Sequence, residues 1–89
     1  MVVGRWVQAD GAPVAGRAVV FTPQRGGVWH GQVINRAPVR VTTDAGGWFR
    51  LALAPSAVVG SYEVAMDNVK LSVDVPDAAT AELAKIVTR

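Results

Sequence analysis

The chain has 89 residues, with nine Lys and Arg against seven Asp and Glu, one histidine and no cysteine. This length fits a single domain, and an apolar share of 51% argues against intrinsic disorder. The lack of cysteine excludes disulfides, thiolate metal ligands and cysteine nucleophiles. The basic residues are dispersed along the chain, which does not favour a nucleic-acid site.

The sequence also allows an expectation about localisation, from its first residues and from its apolar runs. The first residues lack the basic segment and the apolar stretch of a secretory signal peptide. The apolar runs are far shorter than the ~18 residues that a membrane-spanning helix needs. We therefore expect a protein that folds in the compartment where it is made and that has no membrane partner.

The first half of the chain favours strands separated by turn residues. Residues 2–8 and 17–22 have strand character, and Asp10-Gly11 and Pro13 lie between them. Residues 28–34 are predicted as a further strand, which Gly31 weakens.

Apolar and polar residues alternate along four segments in the second half: residues 39–42, 48–53, 62–67 and 69–75. Period-two alternation is typical of antiparallel strands with one face in the core and one in water. It directs Phe49 inward and Trp48 outward. The connections are predicted as a hairpin at Asp44-Ala45-Gly46-Gly47, a loop over residues 55–60 and a tight turn at Asp67-Asn68.

The end of the chain changes character at Pro76, which ends the last strand. Asp77 is placed to cap a short Ala-rich helix over residues 78–87, too short to be stable alone in water. We therefore predict an all-β antiparallel domain of about seven strands over residues 1–76, either a sandwich or a barrel. Residues 77–89 are predicted as a helical or extended docking segment.

The sequence offers few groups for catalysis. His30 is the single histidine, so no second His or Cys exists to build a nucleophile–base pair or a metal site with it. Asp10 and Asp44 lie in turns, where Asp is favoured for local hydrogen bonds. Glu63 and Asp74 lie on outward strand faces. We predict no enzyme, no cofactor and no metal site, although a Ser/Lys pair or an all-carboxylate site stays formally open.

Several turns and core positions fall into a known arrangement. They are Asp10-Gly11-Ala12-Pro13-Val14-Ala15-Gly16, Val19-Val20-Phe21-Thr22-Pro23, Thr42-Thr43-Asp44, Gly47, Phe49, Leu51 and Gly60-Ser61-Tyr62-Glu63-Val64. Over about residues 1–75 the chain thereby resembles the carboxypeptidase-regulatory-like, transthyretin-like β-sandwich modules. The resemblance implies an Ig-like or transthyretin-like sandwich and contributes no catalytic residues.

A second resemblance lies at the end of the domain. Val73-Asp74-Val75-Pro76-Asp77 and residues 79–83 are similar to the end of small sandwich domains in tail and other virion proteins of actinobacterial phages. This implies a non-enzymatic virion structural protein, assembled in the host cytoplasm. It would be a minor tail or baseplate component, or a capsid decoration protein. Its partners would be other virion proteins in symmetric copies, with self-association expected and no nucleic acid or membrane bound.

Large apolar side chains are the candidate contact residues for such an assembly. They are Trp6, Trp29 and Trp48, with Leu83, Ile86 and Val87 near the C-terminus. For Trp48 the alternative is packing beneath the C-terminal segment or a loop. The alternative function is a ligand-binding or cell-surface module excised from a larger exported protein.

Overall fold

In the computed structural model, which describes residues 1–67, 69–77 and 81–82, strands account for most of the regular structure. Within these residues the strands are β1 (Val2–Arg5), β2 (Ala18–Pro23), β3 (Gly27–Trp29), β4 (Gln32–Ile34), β5 (Val39–Thr42), β6 (Trp48–Leu51), β7 (Tyr62–Met66), β8 (Val69–Val73) and β9 (Ala81–Glu82). One helical turn, α1 (Ser56–Val59), lies between β6 and β7.

The strands form two main sheets and a separate hairpin. The large sheet has the order β5-β2-β7-β8 and is antiparallel throughout. The small sheet has the order β6-β1-β9, in which β6 is antiparallel and β9 parallel to β1. Among the strands that the structure describes, β3 and β4 pair only with each other. The predicted all-β, mainly antiparallel sandwich is therefore confirmed, and its two sheets together hold about seven strands, as expected.

The core consists of the inward-facing residues of both sheets. Phe21 lies at its centre, edge-to-face with Phe49 at 6.2 Å and with Tyr62 at 6.4 Å between ring centroids. The Phe49 ring lies directly over Gly4, where a Cβ would come within 2.4 Å of the ring. Gly4 thus allows the small sheet to place an aromatic ring against β1 at a distance that no larger residue permits.

The predicted hairpin over Asp44-Ala45-Gly46-Gly47 is wrong, because β5 and β6 belong to different sheets. The two ends of this connection bond to different neighbours. The Thr43 N–H donates to the Arg17 carbonyl at 2.9 Å, and the Trp6 N–H donates to the Gly47 carbonyl at 2.8 Å. The connection therefore crosses from the large sheet to the small one.

Residues 28–34 form two strands rather than the predicted single strand. His30 and Gly31 both have positive φ, at 50° and 73°. Such a pair of residues makes the two-residue turn that suits the twist of a β-hairpin. Gly31 therefore marks a reversal of the chain.

Two further expectations need correction. The predicted loop over residues 55–60 contains α1. The helix predicted over residues 78–87 is wrong at Ala81 and Glu82, which form β9 and pair with Val2 and Val3. A short isolated helix is not stable in water. Pairing with β1 gives the backbone groups of these two residues hydrogen-bond partners instead. Residues 78–80 and 83–89 lie outside the described residues.

The turn predicted at Asp67-Asn68 agrees with the register of β7 and β8, in which Met66 pairs with Val69; Asn68 itself lies outside the described residues. Among the residues that are described, no helix is long and apolar enough to cross a lipid bilayer.

Candidate functional site

One side of the sandwich is bounded by strands with a neighbour on only one side. Among the described residues, β5 pairs with β2 alone and ends the large sheet, and β6 pairs with β1 alone and ends the small sheet. A groove lies between the two strands. We call this side of the molecule, formed by β5 and β6, the open edge.

Backbone groups of β6 point out of the open edge. Consecutive residues of an edge strand direct their N–H and C=O groups alternately toward the neighbour and away from it. Trp48 directs its groups away from β1, because its N–H donates to Asp44 Oδ1 at 3.0 Å and its carbonyl accepts from the Asp44 N–H at 2.9 Å. Arg50, two residues on, therefore directs its own N–H and C=O the same way.

The same alternation applies to β5. Because the Thr43 N–H bonds to Arg17 at the end of β2, Thr42 and Arg40 direct their backbone groups away from β2. Among the described residues no strand pairs with this side of β5. The open edge thus presents unpaired backbone donors and acceptors from both sheets, which is the feature that allows strands to add to a sheet.

The open edge also leaves apolar side chains without cover. Val39 and Val41 share the inward face of the large sheet with their β2 partners Phe21 and Val19. Phe21 and Val19 are fully buried, whereas Val39 is 39% exposed and Val41 is half-buried. The small sheet ends at β6, so its described strands do not extend across β5. Two core-facing valines therefore lie beside open space.

Two concavities line the open edge. The larger has a volume of about 560 Å³, with Val41 and Thr42 of β5 on one side and β6 on the other. Its β6 lining is Trp48, Phe49 and Arg50. The smaller, about 250 Å³, lies at the start of β5 beside Val39, and the β3–β4 hairpin contributes Trp29 to it. The open edge is thus a cleft with a tryptophan near each end.

Trp48 points outward, as the alternation predicts, and is 48% exposed. The Arg5 guanidinium carbon lies 5.4 Å from the ring centroid, within cation–π range. Arg5 Nε also donates to the Gly46 carbonyl at 3.0 Å. The described part of the C-terminal segment, β9, pairs on the far side of β1 from Trp48. The alternative of a ring covered by the C-terminal segment depends also on residues 83–89, which lie outside the described residues.

Asp44 holds the turn that carries Trp48. Its Oδ1 accepts hydrogen bonds from the N–H groups of Gly46, at 2.9 Å, and Trp48, at 3.0 Å. An Asp side chain that bonds to the backbone two residues ahead is a common means of fixing a turn. The carboxylate at the open edge is therefore engaged in local structure.

The other candidate residues are distributed differently. Trp6 and Trp29 are half-buried and pack against the core, and Trp29 also lines the smaller concavity. Leu83, Ile86 and Val87 lie outside the described residues. His30 lies at the tip of the β3–β4 hairpin with its ring 4.5 Å from that of Trp29, between centroids.

Sequence reasoning missed two exposed valines of the hairpin. Val28 and Val33 are cross-strand partners and are 69% and 81% exposed. The signal was present, because reading His30-Gly31 as a two-residue turn places both valines on one face. It also missed that Val39 is uncovered, which depends on where the other sheet ends.

Reactive groups are sparse in the described part of the chain, where no three His, Asp or Glu residues are arranged to hold a metal ion. Burial raises the pKa of the Tyr62 hydroxyl, which donates a hydrogen bond to the Ala54 carbonyl at 2.7 Å. This bond ties β7 to the segment after β6 and is a structural contact.

No protein-family model matches the chain, and a search of curated proteins finds no match either.

Proposed function

We propose that this chain is a non-enzymatic structural component of a bacteriophage virion that acts through protein–protein contacts at the open edge. The observation that carries the proposal is the incompletely covered inward face of β5, where Val41 lies with Trp48 in the larger groove and Val39, 39% exposed, lies beside the smaller concavity. Edge strands with free backbone groups and exposed apolar side chains are surfaces to which other chains bind.

The virion assignment is supported by the resemblance of Val73-Asp74-Val75-Pro76-Asp77 and residues 79–83 to phage virion sandwich domains. A minor tail or baseplate component is the first choice and a capsid decoration protein the second. Both would present the open edge in symmetric copies, so that one contact geometry repeats around the particle.

The test is quantitative mass spectrometry of purified particles of the phage that encodes the chain. We expect the chain in a fixed copy number that matches the symmetry of a tail or a capsid. A gene outside any phage or prophage, or particles that lack the chain, would contradict the virion assignment.

The contact surface is tested in the same particles with two matched variants. Trp48→Ser removes the exposed ring at the open edge, and Val69→Ser removes an exposed apolar residue at the opposite edge of the large sheet. We expect Trp48→Ser to lower incorporation by roughly tenfold or more, the scale of a contact hot spot, and Val69→Ser to leave it unchanged. Equal incorporation of both variants would exclude the open edge.

A second candidate is a ligand-binding or cell-surface module from a larger exported protein. The groove favours it in one respect, because Trp48 lies there beside the polar groups of Thr42, Asp44 and Arg50. Small-molecule sites combine an apolar wall with a few polar groups in this manner. This candidate predicts a monomer by light scattering at every concentration and saturable binding of a sugar or peptide.

A further inference from the structure

We propose that the open edge accepts an extended segment of a partner chain with alternating apolar and acidic residues, which adds to the small sheet as a strand beside β6. The inference rests on the proposed assembly function and names the chemistry of the partner at that site.

The position of the added strand follows from the difference between the two sheets. In residues 1–67, 69–77 and 81–82 the large sheet continues to β5, whereas the small sheet stops at β6, and the groove of about 560 Å³ lies between these two strands. Neighbouring strands lie about 4.8 Å apart within a sheet. One more strand beside β6 would therefore occupy this groove and cover the half-buried Val41. Continued toward the smaller concavity, the strand would also cover the exposed Val39.

The backbone of β6 fixes where pairing begins. Trp48 cannot pair with a new strand, because both of its backbone groups are bonded to Asp44. Arg50 directs its N–H and C=O outward, where none of the described strands pairs with them, and can exchange two hydrogen bonds with an incoming residue. The added strand is thus short, begins beside the Trp48 ring and runs along β6 toward the smaller concavity at Val39.

The side chains on either side of the groove determine the composition of the segment. In the added strand, alternate residues face inward over Val41 and outward beside Arg50, so the inward positions require apolar side chains. The outward positions lie near Arg50, and Arg5 lies against Trp48 on the same outer face. Acidic residues complement these cations.

The charge balance at the open edge supports an acidic occupant. Arg50 lines the groove and has no ion-pair partner among the described residues. The carboxylate that lines the groove, Asp44, accepts two backbone hydrogen bonds through Oδ1. A second copy of the chain fits less well, because pairing open edges would place arginines opposite arginines.

The experiment is a titration of the whole isotope-labelled chain, followed by the NMR signals of its backbone amides. The probe is a capped peptide of about eight residues that alternates Val and Glu, long enough to span the edge at ~3.3 Å per residue. The matched peptide alternates Val and Lys. We expect the Val-Glu peptide to shift the amide signals of Arg50 and Thr42 saturably and to slow hydrogen exchange at the Arg50 amide. The Val-Lys peptide should bind roughly tenfold or more weakly.

Variants separate charge from folding. Arg50→Glu should weaken binding of the Val-Glu peptide by roughly tenfold or more, and Arg50→Lys by much less, because charge is retained. Arg25→Glu, an exposed loop residue that lines neither concavity, is the control and should leave the affinity unchanged. Unchanged amide spectra away from the substituted residue show that each variant is folded.

Four outcomes would overturn the proposal. They are no saturable shift at about 1 mM peptide, equal binding of the two peptides, shifts confined to β8 or the β3–β4 hairpin, and concentration-dependent self-association of the chain that moves the same amides. If the Val-Glu peptide does not bind but virions contain the chain, only the proposed strand addition is overturned. If the peptide binds but virions lack the chain, only the virion assignment is overturned.

Discussion

β5 and β7 flank β2 on its two sides, both antiparallel to it and both with alternating apolar residues, yet only β7 is packed like a core strand. Its inward residues Tyr62, Val64 and Met66 are all buried, whereas the inward Val39 of β5 is 39% exposed. β7 has neighbours on both sides, and β5 is the last strand of its sheet in the part of the chain that the structure describes. Alternation therefore specifies which face of a strand is apolar, and the extent of the opposing sheet decides whether that face is buried.

Replacing one inward valine with alanine on each strand tests whether β5 and β7 differ in burial. Val64 is fully buried, so Val64→Ala removes two methyl groups from the core and leaves a cavity, at a cost of about 2 kcal/mol. Val39→Ala removes the same atoms beside open space and should cost less than about 0.5 kcal/mol. Urea unfolding of both variants at constant m-value measures the difference. Equal losses would mean that the inward face of β5 is covered after all.

A smaller effect is expected at the hydroxyl of Tyr62. Tyr62→Phe leaves the Ala54 carbonyl without its donor in a buried position, which costs about 1–2 kcal/mol. Thermal unfolding at neutral pH measures it, with Val69→Thr at an exposed β8 position as the control, expected within about 0.5 kcal/mol of the parent. A stability equal to that of the parent would show that the Ala54 carbonyl finds another donor.

The same residue sets a pH dependence. Burial raises the pKa of Tyr62 in the folded state above its ordinary value of 10.0. Above pH ~10 the unfolded chain releases this proton first and so binds fewer protons than the folded chain, which lowers the stability as pH rises. Below that range the group contributes no pH dependence. We expect Tyr62→Phe to lose less stability than the parent between pH 9 and pH 11, and parallel curves would contradict the assignment.

The strands show which parts of the fold can be predicted from the sequence. The inward sets of β6, β7 and β8 follow from alternation, and with them the all-β fold and the outward Trp48. The crossing between sheets at residues 43–47 does not follow, because the partners of Thr43 and Gly47 are Arg17 and Trp6, which are distant in sequence. Local turn residues favour a reversal of the chain, but long-range pairing decides whether the reversal joins two strands of one sheet or connects two sheets.

The residues of the open edge were likewise only partly predictable from the sequence. Trp48 was identified because its orientation depends on a single strand. The exposed Val39 was not, because its exposure depends on the end of a different sheet. Ala81 and Glu82 show the opposite case, since a free side of β1 converts a sequence with helical composition into a strand. In each case the missing information is which backbone edge lies nearby.

The turn at Asp44 allows a test confined to the open edge. Asp44→Ala removes two hydrogen bonds to backbone N–H groups at an exposed turn and should cost about 1 kcal/mol. It also frees the N–H of Trp48 and loosens the ring, so the fluorescence of the protein should change. Asp10→Ala, which removes a single side-chain bond to the Ala12 N–H, is the control and should cost less. A larger loss for Asp10→Ala would show that the open edge does not depend on this turn.

The smallest effect is expected where exposed valines lie outside the open edge. Val28 and Val33 are 69% and 81% exposed on the β3–β4 hairpin, so replacing both with Thr keeps strand propensity and removes little buried apolar area. We expect a change in unfolding free energy below about 0.5 kcal/mol and undiminished binding of the Val-Glu peptide. Loss of virion incorporation with normal peptide binding would make the hairpin a second contact surface. Loss of both would place the contact at the hairpin instead of the open edge.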